Sequence, residues 1–471
     1  MDFRLLIGGQ LVAGSTSTSV INPATEEPVA ECPRASEAQL EAAIAAAKAA
    51  LPAWSAMPID ERRAVLNATA DRVDAHADEL ARLLTLEQGK PIGGARGELS
   101  FVSKAFRKHA AYDIPFEVMT NGAGHRVEVH RRPLGVVALI MPWNFPMALL
   151  AFKLPFALLA GNTVIVKPAP TTPLTTLRLG ELLRDLVPPG VLNVIADDND
   201  LGDALTRHPD VRKVAFTGSV TTGRKVMASA ADGLKRVSLE LGGNDAAIVL
   251  DDVDTKAIAP RLFASAFGNN GQVCIAIKRL YVHDAVYDDM CTELATLADA
   301  AIVGDGLQQG TTHGPLQNKA QLDKVLAILD DARQHGQVIA GGTRPDRPGY
   351  FLRPTIVRDI AEGTRLVDEE QFGPVLPVIR FADDDDILSR ANNSPYGLGG
   401  SVWSGDADRA RALAERMDAG TVGINQPVGL DADVPFGGSK QSGIGTELGK
   451  EGLLEFTQLK VITSPAVATA E

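Results

Sequence analysis

With 471 residues and 45% apolar content the chain can bury more than one core, because single cores stop growing near roughly 250–300 residues; at least two domains are expected. The formal net charge of −13, with Lys and Arg scattered along the chain, excludes the clustered cations by which proteins neutralise nucleic-acid phosphates. No apolar run reaches bilayer-spanning length and no basic segment followed by an apolar core opens the chain, so no membrane partner is expected and the chain reads as cytoplasmic.

Residues 36–50 and 60–88 carry helical periodicity; Ser36 and Gln39 form a candidate capping box, and Gly89 stands where the second run would stop. Residues 112–133 are polar and alternate through Arg126–Arg131, which reads as an exposed β-hairpin that needs a further partner. From Leu134, short β-rich runs at 134–141, 163–167, 191–195 and 213–216 alternate with helix-length segments at 146–160 and 172–186. That alternation predicts a parallel, wound sheet. A further series, with strands at 236–241, 246–250 and 279–282 and helices at 284–301, 317–335 and 406–418, predicts a second α/β domain. The acidic run Asp383–Asp386 reads as the start of a helix, where negative charge is favourable.

Cys32, Cys274 and Cys291 show no Cys-x-x-Cys spacing, which fits reduced thiols and neither a disulfide framework nor a zinc site. Cys274 differs from the other two because it follows the polar, flexible approach Asn269–Val273. A reactive thiol is more plausible there than an inert buried one. Glu240, in Glu240-Leu-Gly-Gly243, offers a carboxylate to serve it. A thiol hydrolase would need a histidine base, yet the histidines form no recognisable set, and neither Gly-x-Ser-x-Gly nor His-Glu-x-x-His occurs.

Three strand ends carry further candidates. Pro142-Trp-Asn-Phe-Pro146 closes one strand and opens a helix, leaving the Asn144 amide free to face a ligand, although an Asn beside Pro also forms plain turns. Lys167 ends the next strand, at the sheet edge where open α/β folds bind ligands; a solvated lysine is the alternative. Phe216-Thr-Gly-Ser219 with Gly223 makes a glycine-rich strand-to-helix turn able to approach phosphate, though it matches neither a Walker A loop nor a Gly-x-Gly-x-x-Gly fingerprint.

Taken together, Pro142–Pro146, Val166-Lys-Pro168, Phe216–Ser219, Glu240–Gly243, Gly271-Gln-Val-Cys274, Glu370-Gln-Phe-Gly-Pro374 and Pro435-Phe-Gly-Gly438 closely resemble, in order and spacing, the aldehyde dehydrogenase superfamily. The resemblance implies two wound α/β domains: a dinucleotide-binding domain from 1–111 and 134–242, and a catalytic domain from 243–440. A small β oligomerisation element from 112–133 and 456–465 would build a homodimer or homotetramer, with the tail beyond Ser464 dispensable.

It further implies Cys274 as nucleophile, Asn144 with the Cys274 backbone amide as oxyanion hole, and Glu240 as general base. Lys153 and Glu447 match proton-relay positions, with a plain structural pair as the alternative. By the same resemblance Lys167 and Glu370 hold the two riboses, Ser219 contacts the pyrophosphate and Phe372 packs near the nicotinamide. Pro142, Trp143, Gly218, Gly223, Leu241 and Gly242 complete the cofactor surface, and no metal is implied. Pro170 departs from NAD-preferring relatives, which place a glutamate there: a carboxylate would bind both ribose hydroxyls and repel a 2′-phosphate. NAD is the first choice and NADP is allowed.

The resemblance places Phe145, Leu149, Phe152, Val273, Ile275, Leu430 and Phe436 around the substrate entrance. That set is apolar and lacks an arginine to grip a distal carboxylate, which favours an aromatic or medium aliphatic aldehyde over a semialdehyde acid. Glu240 favours hydrolysis of the acyl-enzyme over transfer to coenzyme A. A non-catalytic binding protein on the same fold is the rival from another class.

Overall fold

The computed structural model describes residues 2–465. The expectation for the tail beyond Ser464 therefore falls, from residue 466 onward, outside the described residues.

Eight strands form the first sheet, in the order Gln10–Val12, Leu5–Ile7, Leu192–Val194, Thr163–Lys167, Val136–Ile140, Val211–Thr217, Arg236–Glu240 and Gly443–Ile444. The five from Leu192–Val194 to Arg236–Glu240 are parallel. Val136–Ile140 and Thr163–Lys167 are buried along their whole length, as expected of β-branched runs covered by helices on both faces. The chain winds from Val136–Ile140 outward through Thr163–Lys167 to Leu192–Val194, then returns to the opposite side of Val136–Ile140 as Val211–Thr217. That reversal leaves a crevice beyond the ends of Ile140 and Thr217, where open sheets of this kind take ligands.

Seven strands form the second sheet, in the order Gln337–Ala340, Thr355–Arg358, Val375–Phe381, Ile277–His283, Asp245–Val249, Gly399–Trp403 and Thr421–Ile424. All its pairs are parallel except the first. The hairpin of Glu117–Thr120 and Arg126–Pro133 finds the partner it needed in Thr457–Ser464, paired antiparallel from Thr457 opposite Pro133 to Ser464 opposite Arg126.

Several expectations shift. The strand read at 236–241 joins the first sheet and not the second series: Thr217 stands opposite Glu240. The run 60–88 breaks at His76 into Ile59–Ala75 and Ala77–Gln88. A further helix, Ile92–Ala110, escapes sequence reading because Gly93, Gly94 and Gly97 weaken its first turns. The four strands Leu5–Ile7, Gln10–Val12, Thr16–Ile21 and Pro28–Arg34 also escape it: the first two have three residues each, the third is mostly Ser and Thr, and the fourth carries two prolines. The local end signals hold: Ser36 and Gln39 make the reciprocal capping box, Gly89 ends its helix at φ 97°, and Asp383 caps Asp384–Asn392.

Candidate active site

Cys274 sits on a loop that the surrounding structure specifies closely. After the helix Thr255–Phe267, Asn269, Asn270 and Gly271 take φ of 48°, 57° and 74° in succession, a left-handed conformation that Asn and Gly tolerate best. Gly271 has no alternative, since a Cβ there would lie 2.3 Å from the Gly373 carbonyl oxygen. The Asn269 amide donates to the Asn144 carbonyl at 3.1 Å, and Asn270 donates to that of Gly314 at 3.0 Å. Gln272 donates to the Asn269 carbonyl at 2.9 Å and accepts from the Gln317 amide at 2.8 Å. Beneath the turn, the Lys278 ammonium donates to the Val273 and Cys274 carbonyls at 2.7 and 2.8 Å. The polar approach to Cys274 is therefore held on all sides and is not the flexible segment its composition suggests.

Asn144 approaches from the end of Val136–Ile140, buried, with its amide donating to the Gln272 carbonyl at 2.9 Å. Glu240 approaches from the end of its own strand, also buried, and apart from the facing Cys274 thiol its carboxylate oxygens have no hydrogen-bond partner. Burial, and secondarily the nearby Glu447 carboxylate, push Glu240 up to about 8 against the opposing pull of Lys153 and the Cys274 thiol. The same burial, reinforced by Glu240, holds the Cys274 thiol well above its ordinary value. Behind Glu240, the buried Lys153 ammonium donates to Thr217 Oγ1 at 2.7 Å and forms an ion pair with Glu447, whose oxygens have no hydrogen bond otherwise. Thr217 was not singled out from sequence, although it lies inside the Phe216–Ser219 motif.

The crevice spans about 1870 Å³ including its open mouth and takes in Pro142, Trp143, Lys167, Pro170, Gly218 and Ser219, with Thr171, Thr222 and Lys225 added by the fold. Lys167 is buried and paired with Asp197 at 2.6 Å. Ser219 Oγ caps the helix Val220–Ala231 by accepting from the Thr222 amide at 3.2 Å. Gly223 does not reach the crevice: a Cβ there would meet the Leu241 side chain at 2.5 Å, so its role is to let helix and strand approach. At the inner end, Leu241, Gly242, Glu370 and Phe372 line a cleft shared with Gln321 and Lys324. Glu370 accepts from the Gly243 amide at 3.0 Å, and the Trp143 and Phe372 rings meet edge to face at 5.4 Å. A Cβ on Gly242 would lie 2.4 Å from a Glu370 oxygen, so a side chain there would displace the Glu370 carboxylate. Crevice and inner cleft together fit an extended dinucleotide: a long mixed polar and apolar channel, the N-terminus of the helix Val220–Ala231 beside it, and a lysine and a glutamate at opposite ends.

A second passage reaches Cys274 from the opposite side, about 830 Å³ including its mouth. Phe145, Leu149, Phe152, Val273, Ile275 and Leu430 line it as expected, joined by Gly94, Gly97, Glu98, Phe101 and Ala148. Phe436 does not line it. That residue is buried behind Glu240, exchanging two 2.7 Å main-chain hydrogen bonds with Glu447. Cys274 and Asn144 are common to the inner cleft and the passage, while Glu240 faces the cleft. Among the described residues no His, Cys, Asp or Glu cluster is arranged to hold a metal ion, and no single helix is long and apolar enough to cross a membrane.

The sequence profile of the Aldehyde dehydrogenase family matches residues 11–462. A Pseudomonas sp. protein described as "Probable aldehyde dehydrogenase" is 42% identical over 98% of this chain and 94% of its own. Phenylacetaldehyde dehydrogenase of Pseudomonas fluorescens is 40% identical over 97% and 95%, and the NADP(+) succinate-semialdehyde dehydrogenase GabD of Escherichia coli K12 is 39% identical over 97% and 96%. Among solved structures, the NAD+ complex of aldehyde dehydrogenase from Bacillus cereus superposes with a TM-score of 0.97 at 34% identity, covering 99% of this chain and 97% of that one.

Proposed function

The chain belongs to the aldehyde dehydrogenase family, and from that premise we propose how its residues divide the work. It is an NAD(P)-dependent enzyme that oxidises an aldehyde to the carboxylic acid. The observation that carries the assignment of roles is the meeting of two passages at one thiol: Cys274 and Asn144 border both the dinucleotide-shaped cleft and the apolar passage.

Burial keeps the Cys274 thiol protonated at rest, so attack requires a base, and Glu240 is the facing carboxylate that takes the proton. The sulfur then bonds the aldehyde carbon, and the oxygen that gains charge is met by the Asn144 amide and the Cys274 main-chain N–H. Losing one such fixed donor typically costs about 100- to 1000-fold in turnover. When bound, the nicotinamide supplies the hydride acceptor for this carbon. Once Glu240 has given up the thiol's proton toward Glu447 and solvent, water releases the acyl group left on Cys274 and passes its own proton to the freed carboxylate, and this splits one difficult oxidation into two easier steps. Glu447, paired with Lys153 behind Glu240, is positioned to carry that proton onward.

Lys167 and Glu370 are assigned the two riboses, and the capped turn at Gly218–Ser219 the pyrophosphate. Pro170 lines the crevice, Asp197 is neutralised by Lys167 and Asp203 by Arg207, so no unpaired carboxylate there repels a 2′-phosphate. NAD is favoured and NADP is accepted. The passage holds one charged side chain, Glu98, whose oxygens are all engaged by Lys90 and by the Met147 and Ala148 amides. With no arginine lining it and with Phe101, Phe145 and Phe152 in its walls, the passage suits aromatic or medium aliphatic aldehydes and does not suit a distal carboxylate. Two glycines at its mouth, Gly94 and Gly97, leave open space where side chains would stand.

The dinucleotide-binding part is assigned to 1–111 and 134–242, with the catalytic part at 243–440. Residues 112–133 and 456–465 form one small sheet that exposes Met119, Leu459 and Val461 on one face and Val118 and Ile462 on the other, apolar surface suited to pairing copies into a homodimer or homotetramer. The unpaired thiols Cys32, Cys274 and Cys291 support a cytoplasmic setting.

Purified enzyme mixed with benzaldehyde, hexanal or succinate semialdehyde, and with NAD or NADP, tests this function. Reduced cofactor and free acid are expected, fastest with benzaldehyde or hexanal and NAD. Succinate semialdehyde as the best substrate would overturn the substrate reading, and formation of acyl-coenzyme A in place of free acid would overturn hydrolysis.

A further inference from the structure

Lys90 and Glu98 form the most deeply buried ion pair bordering the site, with side chains only 2% and 1% exposed. Neither belongs to any motif that points to the chemistry. The Lys90 ammonium bonds Glu98, donates to the Asn144 main-chain carbonyl at 3.0 Å, and lies 3.7 Å from the centre of the Phe145 ring. One Glu98 oxygen accepts from the Met147 and Ala148 amides at 2.9 and 3.0 Å. Those amides open the helix Pro146–Leu159, whose capping position, Phe145, provides no side-chain cap of its own. Glu98 thus performs the capping that the helix lacks locally.

The pair therefore grips the turn on both sides of the Asn144 side chain: its carbonyl through Lys90, and the residues just after it through Glu98. A buried ion pair is a poor source of stability, since well-packed apolar residues of the same volume often serve as well or better. What it offers is direction, because each charge-assisted bond fixes one main-chain atom in space. We propose that Lys90 and Glu98 are positioning residues that aim the Asn144 amide at the oxyanion, an inference that rests on reading Asn144 as the oxyanion donor.

The test is a double-mutant cycle with kcat, KM and cofactor affinity as readouts. Lys90→Met/Glu98→Gln removes both charges, so no unpaired charge stays buried; Lys90→Arg retains the charge and displaces the donor, which keeps the fold accessible if the paired variant does not fold. Each is made alone and combined with Asn144→Ala. With Asn144 present, the paired variant is expected to lower kcat about 100-fold and Lys90→Arg about 10-fold, the scale of a donor misplaced by an ångström. Cofactor Kd should not change. In the Asn144→Ala background the same changes should cost less than about twofold, because there is no amide left to aim. Equal losses in both backgrounds, or an unchanged kcat with Asn144 present, overturn the positioning role, while the loss caused by Asn144→Ala alone still supports the oxyanion reading. If Asn144→Ala alone leaves kcat intact, the oxyanion reading falls and the positioning role falls with it.

Discussion

Two flanks of Cys274 contrast in how they treat buried polar groups. On the Asn144 flank, Lys90, Glu98, Asn144 and Gln272 all have hydrogen-bond partners. On the Glu240 flank, the carboxylate oxygens of Glu240 and Glu447 have no hydrogen bond beyond the Cys274 thiol facing Glu240, although Lys153 provides an ion-pair contact to Glu447. Native proteins leave few buried polar atoms unpaired, and the exceptions call for a reason. Under the proposed roles, the difference separates two tasks. A donor that must meet developing charge at a fixed point needs a rigid, fully bonded frame. Carboxylates that receive and pass on protons need free lone pairs and a proton affinity near the working pH, which burial beside Glu447 provides by raising Glu240 to about 8.

Substitution can break this contrast, beginning with the thiol that both flanks serve. Cys274→Ala should lower aldehyde oxidation by about 10⁴-fold or more while cofactor binding, followed by fluorescence titration, stays near wild type; normal turnover would end the mechanism. Glu240→Gln should cost about 100- to 10,000-fold in acyl release, and stopped-flow traces should show a burst of reduced cofactor before a slow steady state. Glu240 acts as a base only when deprotonated, so wild-type turnover limited by acyl release should rise with pH through about 8 and level off above it. Glu447→Gln removes a neighbouring like charge, and a pH–rate profile should show that limb moving to lower pH; an unmoved limb would separate Glu447 from Glu240.

Smaller effects sharpen the picture away from the thiol. Pro170→Glu should shift the NAD to NADP ratio of kcat/KM by roughly 10-fold toward NAD, through repulsion of the 2′-phosphate. Gly97→Leu should narrow the open mouth of the passage, lowering kcat/KM for benzaldehyde several-fold, within the range of small steric changes in a pocket, with little effect on acetaldehyde.

Much of this site was legible because its residues stand where one element ends and the next begins. Lys167 and Ser219 adjoin Pro168 and Gly218, and Asn144, Glu240 and Cys274 lie two or three residues from a Pro or Gly, at strand ends or in the loop between elements, where local composition announces a turn. The mistaken placements have a different origin. Gly223 looked like part of a phosphate loop, but whether a glycine faces a ligand or a neighbouring strand depends on the side chain opposite, here Leu241. Phe436 looked like a wall of the passage, yet its pairing with Glu447 turns it behind Glu240. Lys90 and Glu98 were silent because a lysine after a helix stop and a glutamate in a glycine-weakened helix resemble solvated side chains. Only contact with the loop 142–148 reveals them.

By itself the sequence determined the wound α/β class, the helix caps at Ser36 and Gly89, and the chemical types gathered at the strand ends, because these depend on periodicity and on preferences that act within a few residues. Tertiary structure alone decided that the strand Arg236–Glu240 joins the first sheet, that the approach to Cys274 is rigid, that Thr217 links Lys153 to the strand carrying Glu240, and that one flank is fully bonded while the other is not. Hydrogen-bond satisfaction and desolvation belong to groups brought together from distant parts of the chain. Their energies exist only once the intervening chain has folded.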